Sequence, residues 1–395
     1  MDKACIVDST LREGEQTPGV HFTLEEKISI ARELDRAGVA LLDAGMPSVS
    51  AEERDSITAI TSLGLAAPVG VTARLRREEV DLAAACGASE LFLICPVSPL
   101  HIRSRLGLDA DGLLELAADV LRYGTGLGFA VNLVAEDASR AEPAFVCDVL
   151  KRAHAWGACR AMICDTVGIM DPFGMKTLIE KIRSFVPEAL ALGVHCHDDL
   201  GLATANTIAA AQAGATCLSV TVNGLGERAG NAPLHEVIVA LEKLLGMEHG
   251  IDMHRLYVLS RLAERCSGMF LPPNTPVVGY NAFRHETGIH IDGLLKNSQT
   301  YTGLDPAEVN CTQSFVLGKH TGTSAVRHMM QQRGYGATGA QLDTILRRIK
   351  EHKAAAGKGA IRDMADRMEH YYENSLNFPG AAFWEIVEEV LGRRE

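Results

Sequence analysis

Eight short apolar segments alternate with eight amphipathic segments between residue 4 and about residue 245. The apolar segments have the length and composition of buried strands, and the amphipathic segments carry apolar residues at helical spacing. Eight strand-helix units in about 240 residues predict an α/β fold that closes into a (β/α)8 TIM barrel rather than an open sheet. The predicted strands are 4–9, 39–45, 68–73, 90–95, 128–134, 160–165, 191–197 and 217–222, and the predicted helices are 24–37, 50–62, 77–86, 111–125, 143–156, 172–185, 201–213 and 233–245.

Several of the predicted helices begin at recognisable capping sequences. Thr23 and Ser50 each stand three residues before a glutamate, which is the capping-box pattern. Asp171 stands before Pro172, which pairs a preferred N-cap residue with proline at the first helical position. In a barrel of this type the functional groups lie at the carboxyl ends of the strands. The polar residues that follow each strand are therefore the candidates for a site.

The seventh predicted strand ends with two histidines, His195 and His197. Side chains two residues apart on a strand point to the same face, so the two imidazoles can converge on one point. A single histidine there is commonly a satisfied core residue, but two adjacent neutral imidazoles are hard to satisfy without a shared ion. Glu13 follows the first strand, although a single acidic residue in a loop is more often a helix cap or a solvated charge. The sequence predicts a metal site of Glu13, His195 and His197, with Asn231 as a fourth ligand or a close neighbour.

This predicted ligand set contains carboxylate oxygen and imidazole nitrogen but no thiolate. Such a set favours a divalent metal ion, Mg or Mn first, with Zn or Fe as alternatives. The ion can chelate the carboxylate and keto oxygens of a 2-oxo acid and polarise the carbonyl group. Arg12, next to Glu13, would stabilise the negative charge that develops on the oxygen. The residues alone therefore indicate Lewis-acid chemistry on a carbonyl substrate.

The overall charge and the cysteines limit the partners and the compartment. A net charge of −12 argues against binding of nucleic acid or of an anionic membrane. The ten cysteines include no C-x-x-C pair and fall partly within predicted strands, as reduced core residues do. The N-terminal region carries no apolar segment of the length of a signal sequence or a membrane span. These features predict a cytoplasmic protein.

The pattern becomes helical and less regular after residue 250. A barrel needs about 250 residues, so 395 residues leave room for an appendage. We predict a catalytic barrel over 1–250, a linker or lid subdomain over 251–325 that reaches an active site, and a helical subdomain over 326–395.

Three motifs resemble those of the DRE-TIM metallolyases. They are DSTLREGEQ at 8–16, HCHDDLG at 195–201 and NGLGERAGN at 223–231. The resemblance is closest to the Claisen-condensing branch, which comprises homocitrate, 2-isopropylmalate, citramalate and Re-citrate synthases. Within that branch, the segments 136–140 and 288–296 are most similar to the nitrogenase-associated homocitrate synthases.

The resemblance implies a transferase that condenses acetyl-CoA, as co-substrate, with a 2-oxo acid and releases CoA. The expected acceptor is 2-oxoglutarate. The expected catalytic residues are Arg12, Glu136, His290 and Tyr301, and Arg12 and Thr166 are expected to bind the 2-oxo acid. His290 and Tyr301 would assist proton transfer at the acetyl-CoA methyl group, from the second subunit of a homodimer with shared active sites. Glu136 would orient that histidine or a water molecule.

Some positions depart from these relatives. The second strand ends at Asp43, where relatives usually carry glutamate. Phe92 stands where homocitrate synthases tend to have a carboxylate and isopropylmalate synthases a histidine. Asn132 and Val134 replace the Arg and Ser of the lysine-pathway homocitrate synthases. The acceptor pocket is therefore the part of the site that the resemblance constrains least.

Arg74 and Arg103 follow the third and fourth strands and are predicted to bind a distal carboxylate or phosphonate, although either can be a solvated surface arginine. Phosphonopyruvate, 2-oxoisovalerate, pyruvate and oxaloacetate are alternative acceptors. Glu227 and Arg228 replace the Gly-Cys-Pro element of the hydroxymethylglutaryl-CoA lyases, which favours condensation over cleavage. A lyase or aldolase on the same barrel, and a non-catalytic metal-binding barrel, are the other hypotheses.

Overall fold

The computed structural model describes residues 3–376 and 378–391. Its centre is a closed barrel of eight parallel strands, in which each strand pairs with the next and the eighth pairs with the first. The strands are β1 Cys5–Asp8, β2 Leu41–Asp43, β3 Val69–Arg74, β4 Glu90–Pro96, β5 Ala130–Glu136, β6 Ala158–Asp165, β7 Ala191–Cys196 and β8 Cys217–Val220. The predicted TIM barrel is confirmed, and each strand overlaps its predicted segment.

Helices separate successive strands of the barrel. They are α1 Leu24–Ala37, α2 Ala51–Thr61, α3 Arg77–Ala85, α4 Pro99–His101, α5 Ala110–Gly126, α6 Pro143–Ala155, α7 Pro172–Phe185, α8 Ala203–Gln212 and α9 Leu234–Ala240, followed by α10 Leu256–Ser267. Two π-helical turns, Ile102–Leu106 and Leu241–Leu245, extend α4 and α9. The bounds of α1 and α7 are those predicted from the sequence.

The capping residues explain why two helices begin where predicted. The Thr23 hydroxyl accepts a hydrogen bond from the Glu26 backbone amide at 3.3 Å, and the Glu26 carboxylate accepts one from the Thr23 amide at 2.9 Å. This reciprocal pair is a complete capping box. The Asp171 carboxylate accepts hydrogen bonds from the backbone amides of Phe173 and Gly174 at 2.9 and 3.1 Å. It therefore satisfies two backbone donors that have no partner within the helix.

The second predicted capping box, at Ser50, is only half formed. The Ser50 hydroxyl accepts from the Glu53 amide at 3.0 Å, but the Glu53 carboxylate contacts Lys27 instead of the Ser50 backbone. The Lys27 ammonium group also lies 2.6 Å from a carboxylate oxygen of Glu15. The Lys27 side chain is only 3% exposed. A buried ion cluster of Glu15, Lys27 and Glu53 therefore joins the β1–α1 loop, α1 and α2, and this competition is why the reciprocal cap is absent.

The inward-facing residues of β4 occupy successive layers of the barrel. Phe92 packs in a buried cluster that includes Val7 and Met162. A Cβ atom at Gly70 would lie 2.7 Å from the Phe92 ring, so the neighbouring strand accommodates the ring only because it carries glycine there. Asn132 donates a hydrogen bond to Glu90, one layer further from the mouth, at 2.9 Å. Phe92 and Asn132 are thus core residues below the barrel mouth rather than parts of an acceptor pocket.

The chain divides into two compact units between Phe270 and Leu271. The second unit contains a parallel pair of short strands and five α-helices over the residues that the structure describes. These are β9 Arg284–His285, β10 Ser314–Phe315, α11 Gly288–Lys296, α12 Thr323–Gln331, α13 Gly339–Ala355, α14 Gly359–Asn374 and α15 Gly380–Leu391. The finer boundaries at residues 250 and 325 stay predictions. Within the described part of the chain, no helix has both the length and the apolar composition needed to cross a bilayer.

Candidate metal centre and active site

A tight turn after β1 brings Arg12 and Glu13 to the mouth of the barrel. The backbone carbonyl of Ser9 accepts hydrogen bonds from the amides of Arg12, Glu13 and Gly14 at 3.1, 2.7 and 3.2 Å. This turn closes immediately at the strand end, and a short 3₁₀ helix, Gly14–Gln16, follows it. The local sequence therefore places both side chains at the carboxyl end of β1.

Glu13, His195 and His197 come together at this mouth. The Glu13 carboxylate oxygens lie 3.9 Å from His195 Nε2 and 3.8 Å from His197 Nε2. One possible ligand atom from each of the three residues lies within 4.8 Å of the others. The three side chains are 5, 9 and 7% exposed. The structure thus brings the three predicted metal ligands into one buried cluster.

The electrostatics of this cluster keep its groups in the protonation state that binds a metal. Burial lowers the pKa of His195 to about 3 and also lowers the pKa of His197, so both imidazoles are neutral near pH 7. Burial alone would raise the pKa of Glu13, but the positive charges of Arg12 and, more weakly, Arg228 hold it below its usual value. The site therefore offers one carboxylate and two neutral imidazoles, each with a free lone pair for coordination.

Neighbouring side chains orient the cluster. His195 Nδ1 lies 2.8 Å from the Ser219 hydroxyl, which leaves Nε2 directed toward Glu13. The Asn231 amide lies 3.1 Å from that Nε2, and its oxygen is buried without a hydrogen-bond partner among the described residues. A buried amide oxygen without a partner is costly unless a cation or water meets it. Glu13, His195 and His197, with Asn231 beside them, therefore fit a divalent cation.

Asp43 holds Arg12 in this site. Arg12 Nε donates a hydrogen bond to Asp43 at 2.7 Å, while another guanidinium nitrogen contacts Glu13. The hydroxyl groups of Thr72 and Ser9 donate to the same carboxylate at 3.0 and 3.4 Å. Burial raises the pKa of Asp43, and Arg12 opposes that rise. The sequence showed Asp43 only as a departure from relatives, although its position at the end of the strand beside β1 was a signal that it could reach Arg12.

A cavity of about 200 Å³ adjoins the cluster. Ile94 and Val134, from the carboxyl halves of β4 and β5, give it an apolar wall, and Glu136 and Thr166 give it polar atoms. The Thr166 hydroxyl accepts a hydrogen bond from the Asp137 amide at 2.9 Å, which fixes its position. Of the predicted site residues, Arg12, Glu136 and Thr166 therefore share this cavity with the three candidate metal ligands.

Arg228 also lines this cavity, although no role in the site was predicted for it from the sequence. Its guanidinium group donates hydrogen bonds to both carboxylate oxygens of Asp199, at 2.7 and 2.8 Å, and to the Thr166 carbonyl at 2.8 Å. It thereby ties the loops that follow β6, β7 and β8. The position of Arg228 in the NGLGERAGN motif could have indicated a role in the site, but the motif does not show which of its two charged residues, Glu227 or Arg228, points inward.

The structure does not bring Arg74 and Arg103 into this cavity. Arg74 lies in a neighbouring cavity of about 550 Å³, where its Nε donates to Glu79 at 2.6 Å. Arg103 lies in a third cavity and donates to the Pro99 carbonyl at 3.2 Å. The cavity beside the metal centre shares Ile94 with the cavity of Arg74. A role for either arginine in binding a distal anion stays a prediction.

His290 and Tyr301 belong to the second unit. Both side chains are exposed, and their rings stack with centroids 4.1 Å apart and planes inclined by 26°. Tyr301 also packs over Gly293, where a Cβ atom would lie 2.8 Å from the ring. The stacked pair is therefore a preformed element of the second unit.

The family follows from comparison of the sequence with known proteins. The model described as HMGL-like matches residues 3–263. The chain belongs to the HMGL-like family. A second model, described as homocitrate synthase post-HMGL domain-like, matches residues 277–359.

Named relatives of this HMGL-like chain are synthases. It is 43% identical to a putative (R)-citramalate synthase of Methanopyrus kandleri, over 99% of this chain and 73% of the relative. It is 42% identical to a homocitrate synthase of the same organism, over 96% of this chain and 94% of the relative. A probable 2-isopropylmalate synthase of that organism is 41% identical, over 89% and 70%. The predicted membership of the Claisen-condensing branch is confirmed, and the chain is an enzyme of this synthase type.

Solved structures share the barrel of this HMGL-like chain. The lyase for hydroxymethylglutaryl-CoA from Pseudomonas aeruginosa has a TM-score of 0.61 at 22% identity, covering 67% of this chain and 93% of that one. The HMG-CoA lyase from Brucella melitensis has a TM-score of 0.61 at 20% identity, covering 68% and 100%. At this level of identity the likeness shows the fold alone.

Proposed function

We propose that this enzyme condenses acetyl-CoA with a 2-oxo acid and releases CoA. The observation that carries the proposal is the buried cluster of Glu13, His195 and His197 with Arg12 beside it, at the mouth of the barrel. Relatives named citramalate, homocitrate and 2-isopropylmalate synthases support the same reaction class. A bound divalent cation would act as a Lewis acid that polarises the keto group of the 2-oxo acid.

The residues of the chain have separate tasks in this proposal. Arg12 stabilises the negative charge that develops on the keto oxygen. Asp43 holds the guanidinium group in place through the 2.7 Å hydrogen bond that it accepts from Arg12 Nε. The Thr166 hydroxyl binds the carboxylate of the 2-oxo acid. Glu136 presents a fixed carboxylate to the cavity, where it orients a histidine or a water molecule.

We assign the proton transfers to His290 and Tyr301, supplied by the second subunit of a homodimer. His290 takes a proton from the methyl group of acetyl-CoA, and the resulting enolate attacks the keto carbon. The keto oxygen then gains a proton from the hydroxyl group of Tyr301, whose ring stacks against that of His290. Water subsequently hydrolyses the thioester, so the products are a hydroxy acid and free CoA. This hydrolysis makes the condensation irreversible.

The apolar wall of the cavity favours pyruvate as the acceptor. Ile94 and Val134 present no charge or hydrogen-bond donor to the side chain of the 2-oxo acid. A methyl group suits such a wall, whereas a carboxylate placed against it would be desolvated without a partner. The first expectation from the sequence, 2-oxoglutarate, remains the second candidate because Arg74 and Arg105 line the neighbouring cavity beyond Ile94.

An acceptor panel tests both levels of the proposal. CoA release would be measured as free thiol with pyruvate, 2-oxoglutarate, 2-oxoisovalerate, oxaloacetate and phosphonopyruvate, each with Mg, Mn, Zn and Fe(II). We expect the highest kcat/KM with pyruvate. A preference for 2-oxoglutarate would overturn the acceptor but not the reaction class. No CoA release with any pair would overturn the class and favour a non-catalytic barrel.

The Asp43→Asn variant tests the role of the residue that holds Arg12. Asparagine keeps the shape of the side chain but removes the negative charge opposite the guanidinium group. We expect kcat to fall by about 10- to 100-fold, because a charge-assisted hydrogen bond that orients a catalytic group is lost. Asp35→Asn is the matched control, since the Asp35 carboxylate accepts a hydrogen bond from the Ala67 amide, which precedes β3 and lies at the amino end of that strand, away from the barrel mouth. Equal activities of the two variants would contradict this role of Asp43.

A further inference from the structure

His101 follows β4 in a short helical turn that aims its side chain at the end of β5. The Ser98 hydroxyl accepts a hydrogen bond from the His101 amide at 3.2 Å, and Pro99 occupies the first helical position. The π-helical turn Ile102–Leu106 follows directly. The local sequence Ser98-Pro-Leu-His101 therefore fixes where the ring lies.

The imidazole lies between two acidic residues. His101 Nδ1 is 3.5 Å from Glu136 Oε2, and Nε2 is 3.7 Å from Asp137 Oδ2. His101 Nδ1, Glu136 Oε2 and Asp137 Oδ2 are all buried, and none has a hydrogen-bond partner among the described residues. Leaving a buried polar atom unpaired costs free energy, so Nδ1, which lies nearer its carboxylate than Nε2 does, is favoured to pair with Glu136.

Arg140 determines which nitrogen of the neutral His101 ring carries the proton. Its Nη2 lies 3.4 Å from His101 Nε2, and its Nε donates to Asp137 Oδ1 at 2.7 Å. A guanidinium group can only donate, so the neutral imidazole accepts at Nε2 and carries its proton on Nδ1. The charged imidazolium also has a proton on Nδ1. In both states that proton is directed at Glu136.

The charges around the ring balance without a charge on His101. Two arginines, Arg105 and Arg140, face two carboxylates, Glu136 and Asp137. Arg105 contacts Glu136 Oε1, which leaves Oε2 for His101. Each carboxylate oxygen of Glu136 thus faces a nitrogen-bearing side chain, Arg105 at Oε1 and His101 at Oε2.

We propose that His101 is a positioning residue that fixes the carboxylate of Glu136 in the active-site cavity. Glu136 lines that cavity and His101 does not, so His101 acts through Glu136. The inference rests on the proposed function, in which Glu136 orients a histidine or a water molecule. A misplacement of a catalytic group by about 1 Å can cost about 100-fold in rate, and the Arg105 contact at Oε1 together with the His101 ring 3.5 Å from Oε2 restrains such a shift.

Three substitutions of His101 separate positioning from packing. In His101→Asn the amide nitrogen occupies the place of Nδ1, in His101→Gln it occupies the place of Nε2, and in His101→Leu no donor remains. We expect His101→Asn to keep kcat within about threefold of the unsubstituted enzyme, and the other two variants to lose about 10- to 100-fold. KM for the 2-oxo acid should change by less than about threefold, because His101 does not touch it.

A double-substitution cycle with Glu136→Gln completes the test. If His101 acts through Glu136, adding His101→Leu to Glu136→Gln should lower kcat by less than about threefold further. An equal loss in both backgrounds, or equal activity of His101→Asn and His101→Leu, would overturn the inference. Thermal unfolding of each variant identifies any loss of activity caused by misfolding. Retained activity of His101→Asn, compared with His101→Leu, then distinguishes loss of positioning from loss of the fold. Absence of CoA release by the unsubstituted enzyme would instead overturn the proposed function.

Discussion

His195→Ala should abolish specific metal binding and lower the rate of CoA release by at least about a thousandfold. The substitution removes one of three possible ligands, and it also leaves the Ser219 hydroxyl and the Asn231 amide without the imidazole they contact. The remaining Glu13 and His197 offer too few protein ligands to retain an ion through dialysis. Metal content after dialysis and CoA release with the preferred acceptor are the two measurements.

A buried histidine elsewhere in the barrel unit supplies the control. His249 is buried and accepts a hydrogen bond from the Ile251 amide at 3.0 Å, outside the metal cluster. His249→Asn should retain the metal content of the unsubstituted enzyme. A chelator should reproduce the effect of His195→Ala on the unsubstituted enzyme, and added Mg, Mn, Zn or Fe(II) should reverse it. Full activity of the chelated enzyme or of His195→Ala would contradict a role for the cluster in binding a required ion.

Lys27→Met should lower the free energy of unfolding by about 3–5 kcal/mol, because removal of one partner leaves buried charge without compensation. Lys27 stands between the carboxylates of Glu15 and Glu53, whose side chains are 19 and 11% exposed. Methionine fills a similar volume, so the loss measures charge rather than a cavity. Denaturant unfolding near pH 7.5 gives the free energy, and Lys176→Met, an exposed lysine paired with Glu180, is the control.

The effect of Lys27→Met should shrink as the pH falls toward 5. Burial already raises the pKa of Glu53, and loss of Lys27 raises it further because Lys27 favours the ionised carboxylate. A carboxyl group whose pKa is higher in the folded than in the unfolded protein binds its proton first in the folded state, so it stabilises the fold as pH decreases. The double variant Lys27→Met with Glu53→Gln should recover part of the loss at pH 7.5. A loss that is independent of pH and unrelieved by Glu53→Gln would show that packing, not charge, is responsible.

The elements and the centre of the site could be predicted because they depend on local pattern and on strand geometry. The first residues of α1 and α7 follow from the N-cap residues Thr23 and Asp171, which act within one turn. The closeness of His195 and His197 follows from the two-residue repeat of a strand. Closure of the ring then brings Glu13 to the same mouth, since all the strands are parallel.

The depth of side chains within the barrel could not be predicted from the same pattern. Phe92 and Ile94 both point inward from β4, but Phe92 lies in the core layer and Ile94 at the mouth. The repeat of a strand gives the face of a residue and not its layer, which depends on strand tilt and register. The outward position of Arg103 has another cause, because the π-helical turn buries Ile102 and turns the next side chain outward.

Ion pairs between residues that are distant in the sequence could not be predicted from local patterns either. The partners of Asp43, Glu53 and Glu136 come from other strands or helices, so no spacing in the sequence reveals them. Each of these carboxylates reads equally well as a cap or a solvated charge until the fold places a cation against it.

Glu13 follows the first strand of the ring, and the two histidines lie at the end of the seventh, so β8 must pair between these strands before the three side chains can meet. The three candidate ligands therefore meet only when the barrel is closed. A nascent chain without β7 and β8, or a folding intermediate in which β8 and β1 are unpaired, does not contain the assembled metal site. Ion release during denaturation should then report the separation of β8 from β1 rather than the fraying of any single helix.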